Sequence, residues 1–228
     1  MKDRIKKILT NIESVKEDLL ALSDDIWLSI EHNDSQALQR GVEFKAAYNE
    51  CMTVFTLDSE RLSSLIQNFT EVAVDPEEVT APEKDEITTN QDRERLIREL
   101  NPHIPHTLNE DFRYKRPLGF ILEGEPYVPR NTWSQVYSSV CKHLAKKSPD
   151  LFDELPENPD FKSTHGNRSF SRSDQQLREG KDVGMGIYAE FNLNANQLRD
   201  SIKGLLDYFK VPHGHFTAYL REDRDSQV

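Results

Sequence analysis

Within residues 162–181 the sequence places Lys162, Arg168, Arg172, Arg178 and Lys181 against only Asp174 and Glu179, a local net charge of +3 in a chain whose net charge is −11. Arginine forks match the paired oxygens of a phosphate, and hydroxyls and amides such as Ser163, Asn167 and Ser169 can donate to the same group. Phe170 and His165 lie among these cations, where a ring could stack on a nucleic-acid base. The segment therefore reads as a binding surface for an anion. Its competing reading is a solvated loop whose arginines pair with acids of the N-terminal arm or of a partner. A chain this acidic repels nucleic acid at long range, so binding would depend on the local patch and fall steeply with salt.

A second polar cluster, Asn192, Asn194 and Asn196, falls where an alternating stretch gives way to a helical one. Amide side chains can match adenine edges, and a helix N-terminus attracts anions. The structural reading is that Asn194 caps the helix and its neighbours satisfy the turn. Asn192 and Asn196 are kept as candidate polar contacts. His103 with His106, and His213 with His215, are two-ligand pairs, whereas a hydrolytic zinc site needs three protein ligands. Asp182 and Glu190 are a weak carboxylate pair of the sort a metal-dependent nuclease would use. There is no GxxxxGK[ST], GxGxxG or GxSxG sequence. We therefore assign no catalytic residue, no metal and no cofactor, and expect a non-enzymatic chain.

The strongest periodic signal lies elsewhere. Ile5, Ile8, Ile12, Val15, Leu19, Leu22 and Ile26 follow alternating steps of three and four, a heptad seam of about three repeats. Leu9, Leu20, Trp27 and Ile30 widen that face beyond what one neighbour covers. The seam predicts assembly, either as a homo-oligomer or by docking on a larger protein partner. A second helix is expected from Ser35, capped by Asp34 or Ser35, to about Phe55. A boundary at Thr56-Leu57-Asp58 and a third helix through Leu62, Leu65, Ile66, Phe69 and Val72 follow.

Residues 73–111 read as an acidic, proline-containing linker with a short helix, carrying net −7; residues 1–72 carry −5 and residues 112–228 carry +1. Beyond the linker, 118–128 predicts a hairpin turning at Glu123–Pro126. Asn131 would cap a helix that buries Trp133, Val136, Tyr137, Val140, Cys141 and Leu144. Strands are expected at 186–193 and 216–220, with a helix between them. The fold class is thus α+β: an N-terminal helical hairpin or three-helix coiled-coil arm, then a small domain with an antiparallel or mixed sheet.

Cys51 and Cys141 form no CxxC pair and read as buried free thiols of a reducing compartment. No apolar run of about 20 residues exists, and the basic N-terminus leads into a periodic helix rather than an apolar leader core. No membrane association and a cytoplasmic location are expected.

Three marks carry a resemblance to a known domain: Trp133 near a helix start, Phe170-Ser171-Arg172 in the basic segment, and the run Ile187–Asn196 from strand into helix. Together they resemble a small C-terminal domain that recurs in uncharacterised prokaryotic proteins, some fused to restriction-type or nuclease modules. The resemblance spans about 116–222. Phe191 stands where that domain more often has Thr, and Asn194 where it has Ser. It implies a bacterial, phage-defence setting and an accessory, DNA-facing role, and it implies no reaction. The candidate nucleic-acid contacts are therefore Lys162, His165, Arg168, Phe170, Arg172, Arg178, Asn192 and Asn196.

Overall fold

The structure is a computed structural model and describes residues 1–72, 90–162 and 168–221. It divides into two compact units, Met1–Lys84 and Asp85–Val228.

The first unit is an antiparallel hairpin of α1 (Lys2–Leu28) and α2 (Ser35–Thr70). Asp34 starts α2: its Oδ1 accepts from the backbone N–H groups of Gln36 and Ala37, at 2.8 and 3.3 Å. Polar ties fix the pairing. Lys45 Nζ donates to Ser23 Oγ (2.7 Å) and to Asp24 Oδ1 (2.8 Å), and Tyr48 OH donates to the Leu19 carbonyl (2.8 Å). Gly41 sits directly against the Ile30 side chain, in space that a Cβ would occupy. The expected break at Thr56-Leu57-Asp58 is absent, and one helix runs through it, so the arm is the two-helix form. Thr and Asp cost only fractions of a kcal/mol in a helix interior. Thr56 is also buried, so packing holds the turn in place.

The second unit opens with α3 (Asn90–Leu100) and β1 (Pro105–His106). Both residue ranges had the composition of a linker, yet both belong to this unit. Arg93 Nε donates to the Gly124 carbonyl (2.9 Å), Leu100 is fully buried, and β1 pairs with the last strand. Next come β2 (Pro117–Leu122), β3 (Glu125–Tyr127), α4 (Trp133–Lys147), α5 (Pro149–Asp153) and β4 (Phe170–Ser171). The described residues continue with β5 (Gly180–Asp182), β6 (Tyr188–Glu190), α6 (Ala195–Tyr208) and β7 (Phe216–Leu220). Among the described residues the strands form two antiparallel sheets, ordered β1-β7-β2-β3 and β4-β6-β5.

One hydrophobic core serves this unit. It takes Trp133, Val136, Tyr137, Val140, Cys141 and Leu144 from α4 and Leu198, Ile202, Leu205 and Leu206 from α6. Trp133 stacks on Phe112 at 4.3 Å between centroids and donates its indole N–H to the Lys115 carbonyl (2.9 Å). That bond gives the buried indole the partner it needs. The α4 cap lies one residue beyond the expected Asn131. Thr132 Oγ1 accepts from Gln135 N, while Gln135 Oε1 accepts from Asn131 N. Of the two cysteines, Cys141 is buried, and burial pushes its thiol well above the ordinary range. Cys51 is exposed on α2, contrary to expectation. Among the described residues no helix is long and apolar enough to cross a membrane.

Candidate functional site

The basic segment is built on β4 and the turns around it. Lys162 and Arg168 face each other in an isolated antiparallel bridge, and β4 then pairs with β6. His165 lies outside the described residues. Phe170 is 1% exposed and packs edge-on against Phe161 (5.2 Å) and Phe152 (6.5 Å). This corrects its assignment as a stacking platform: both residues of β4 are buried and the Phe170 ring lies in the core, so no face is free for a base.

Four of the five cations of the segment, all but Arg168, lie against acids of the same unit. Arg172 donates through NH1 to Asp153 Oδ1 and through NH2 to the Asp153 carbonyl, both at 2.9 Å. This contact pulls the Asp153 carboxyl below its usual range and raises Arg172. Arg178 Nε lies 3.5 Å from Glu190, Lys162 Nζ 3.7 Å from Glu157, and Lys181 Nζ 3.3 Å from Glu179. Lys181 also sits over the Phe191 ring at 5.1 Å. Arg168 has no acidic partner among the described residues. The guanidinium groups of Arg172 and Arg178 remain about half exposed, and exposed pairs of this kind contribute little and exchange readily.

Glu190 is a structural anchor. Its Oε2 accepts from Arg178 N (2.9 Å), and its Oε1 accepts from Asn192 N (2.7 Å) and Glu179 N (3.2 Å). One buried carboxylate thus closes two loops around β6. In the β5–β6 register Glu190 lies opposite Gly180 and Asp182 opposite Tyr188, so the two carboxylates are not presented as a pair. Asp182 is itself spent on Gly184 N (2.7 Å).

The asparagine cluster is also mostly committed. Asn194 and Gln197 form a reciprocal capping box at the start of α6. Asn196 Oδ1 accepts from Phe112 N (2.8 Å) and from Arg199 (3.2 Å), and its Nδ2 donates to Asp111 (3.0 Å). Asn196 therefore ties the 110–113 loop to α6, a correction to its assignment as a ligand contact. Asn192 keeps a half-buried side chain, with its backbone N–H on Glu190. Phe191 fills the core beside Tyr137, 5.2 Å away. The histidine pairs split: His106 bonds Glu110 (2.7 Å) and His213 lies 2.9 Å from Asp207. Among the described residues no three His, Cys, Asp or Glu side chains gather as a metal site.

The heptad seam divides along its length. Ile5, Ile12, Leu19 and Ile26 are half-buried, while Ile8, Val15 and Leu22, spaced by seven, stay 46%, 45% and 42% exposed. On α2, Val54, Leu57, Leu62, Leu65 and Phe69 are also exposed.

A hydrogen-bonded chain escaped the sequence reading. Tyr127 OH bonds His143 Nδ1 (2.7 Å), and His143 Nε2 bonds Glu123 (3.1 Å). Lys147 Nζ donates to both Glu123 oxygens, at 2.5 and 2.7 Å. The i, i+4 spacing of His143 and Lys147 on α4 was the available signal. Burial pushes the Tyr127 phenol up to about 12, so it stays protonated and serves to pin the β2–β3 hairpin to α4. Comparison with protein-family models, with curated proteins and with solved structures gave no match.

Proposed function

We propose that this chain is a non-enzymatic adaptor subunit, whose helical hairpin assembles copies of the chain and whose α+β unit recognises nucleic acid. The carrying observation is the row Ile8, Val15 and Leu22, apolar, exposed and repeated at one heptad along α1. A second copy offers the same row at the same spacing, which is how a coiled-coil seam is read across a two-fold axis. The setting implied by the resemblance, a bacterial defence or restriction-type system, suits a subunit without chemistry of its own.

The test is sedimentation of the purified chain with and without Val15→Asp, at low and high salt. Self-assembly predicts an oligomer that Val15→Asp reduces to monomer. Because residues 1–72 carry net −5, assembly of like-charged arms strengthens as salt screens them. A wild-type monomer at every concentration would sink the assembly half of the reading. Assembly that weakens with salt would point instead to docking on a basic partner.

A further inference from the structure

We infer that two copies of the helical hairpin pair antiparallel through α1, about a two-fold axis level with Glu13 and Ser14, so that unlike ends of the hairpins meet. The inference rests on the assembly half of the proposed function and supplies its orientation and register.

The open face of α1 is continuous. Leu9, Lys16 and Ser23, each one residue past a member of the exposed row, are buried, whereas Arg4 and Asn11, on the other flank, are exposed. Ile5, Ile12, Leu19 and Ile26 are half-buried between the two. Two orientations cover this face with apolar side chains. In parallel, Ile8, Val15 and Leu22 each meet the same residue of a second copy. Antiparallel, Ile5, Ile8 and Ile12 of one copy meet Leu22, Leu19 and Val15 of the other, and the two-fold axis repeats those layers within Lys2–Leu28. Apolar burial has no direction and does not choose between them.

The charge layout does. Lys45 meets Ser23 and Asp24 and Tyr48 meets Leu19, a register that brings residues 1–9 level with 59–71. Those two stretches hold five basic and three acidic side chains, net +2. The loop end, residues 18–45, holds six acidic and two basic ones, net −4. Both counts include the pairings inside the hairpin, Lys45 with Asp24 among them, so nothing depends on a group standing idle. Parallel pairing sets like ends together and antiparallel pairing unlike ends. The electrostatic difference between the two grows as the square of the difference in end charge, and it favours antiparallel pairing for any unequal ends. Adding residues 73–84, net −3, to the first end leaves −1 against −4, which is still unequal. Two arms of net −5 repel in either orientation, so the layout selects orientation rather than strength. At about 1.5 Å per residue α1 is about 40 Å long, several Debye lengths at ordinary salt, so each end feels the end it meets. The C-termini of the two α2 helices then lie at opposite ends of the assembly.

The test is pulsed electron–electron resonance on the full-length chain, spin-labelled at one exposed position at a time: Lys2→Cys, Lys7→Cys or Leu28→Cys. The background is Cys51→Ser, because Cys51 is exposed and Cys141 is buried. About an antiparallel axis the two copies of a label separate by ~3 Å for every residue from the axis, twice the helical rise, giving about 35 Å at Lys2, about 20 Å at Lys7 and about 44 Å at Leu28. Sedimentation and thermal melts accompany each chain. Separations that are short and equal at all three positions would show parallel pairing, overturning the orientation and keeping self-assembly. Any other pattern in an oligomer, with Lys7 no closer than the two ends, would take α1 out of the contact and overturn the inference. Monomers with no dipolar signal would overturn the assembly reading as well. As a second readout, Arg4→Glu/Lys7→Glu, at two exposed positions, should raise the dimer Kd by about fivefold or more at low salt, an effect that fades as salt screens it. An unchanged Kd at low salt would overturn the electrostatic choice of orientation.

Discussion

Glu190→Gln separates a structural carboxylate from a catalytic one. The side chain is 8% exposed, and its two oxygens accept three backbone N–H groups, from Arg178, Glu179 and Asn192. Glutamine keeps one acceptor oxygen and puts an NH2 where the other stood. In the cheaper orientation the oxygen faces Glu179 and Asn192, and Arg178 N–H is left against a donor. Orphaning one buried donor costs about 1–3 kcal/mol, and turning two charge-assisted bonds into neutral ones costs about 1 kcal/mol each. The total is about 3–5 kcal/mol, or a fall of about 10–17 °C in Tm for a unit of this size. Urea denaturation followed by Trp133 fluorescence in a Trp27→Phe background reads the α+β unit alone, since the chain has two tryptophans. Amide exchange at Arg178, Glu179 and Asn192 should quicken in step. A Glu190→Gln chain within about 0.5 kcal/mol of wild type, the range of an ordinary surface substitution, would refute the anchor. Unchanged stability with loss of Mg²⁺-dependent cleavage would restore the nuclease reading.

Phe170→Ala should destabilise the α+β unit by about 3–5 kcal/mol, the range for emptying a core phenylalanine site. At a salt where the chain stays folded it should leave oligonucleotide affinity unchanged, because the ring packs on Phe152 and Phe161. Equal stability with weakened binding would return Phe170 to the surface. Glu123 supplies the pH dependence. Lys147, and after it His143, hold its carboxyl below the ordinary range in the folded state. The unfolded chain therefore takes up its proton first as pH falls. The stabilisation is complete above the ordinary carboxyl pKa of about 4.3 and is lost as pH drops through the folded value. Urea midpoints measured from neutral pH downward should fall along that limb, and Glu123→Gln should flatten it; an unchanged acid limb in Glu123→Gln would count against the clamp.

What could be read from the sequence was whatever repeats along one element. The α1 heptad, the α4 stripe from Trp133 to Leu144 and the Asn194 cap each need only their own neighbours in the chain. What could not be read depends on partners brought from a distance. Phe170 sits in a strand of two residues, too short for alternation to say which face is buried. Arg172 meets Asp153 and Asn196 meets Asp111 only because α5 packs near β4 and α6 near the 110–113 loop. The basic segment shows the same limit. A linear scan for charge selects 162–181 for its density, yet Lys162, Arg172, Arg178 and Lys181 lie 2.9–3.7 Å from Glu157, Asp153, Glu190 and Glu179. Three of those four acids lie outside the segment and reach it only through the fold. The density of arginine in a sequence therefore counts the cations of a segment, and the fold decides how many of them already face a carboxylate.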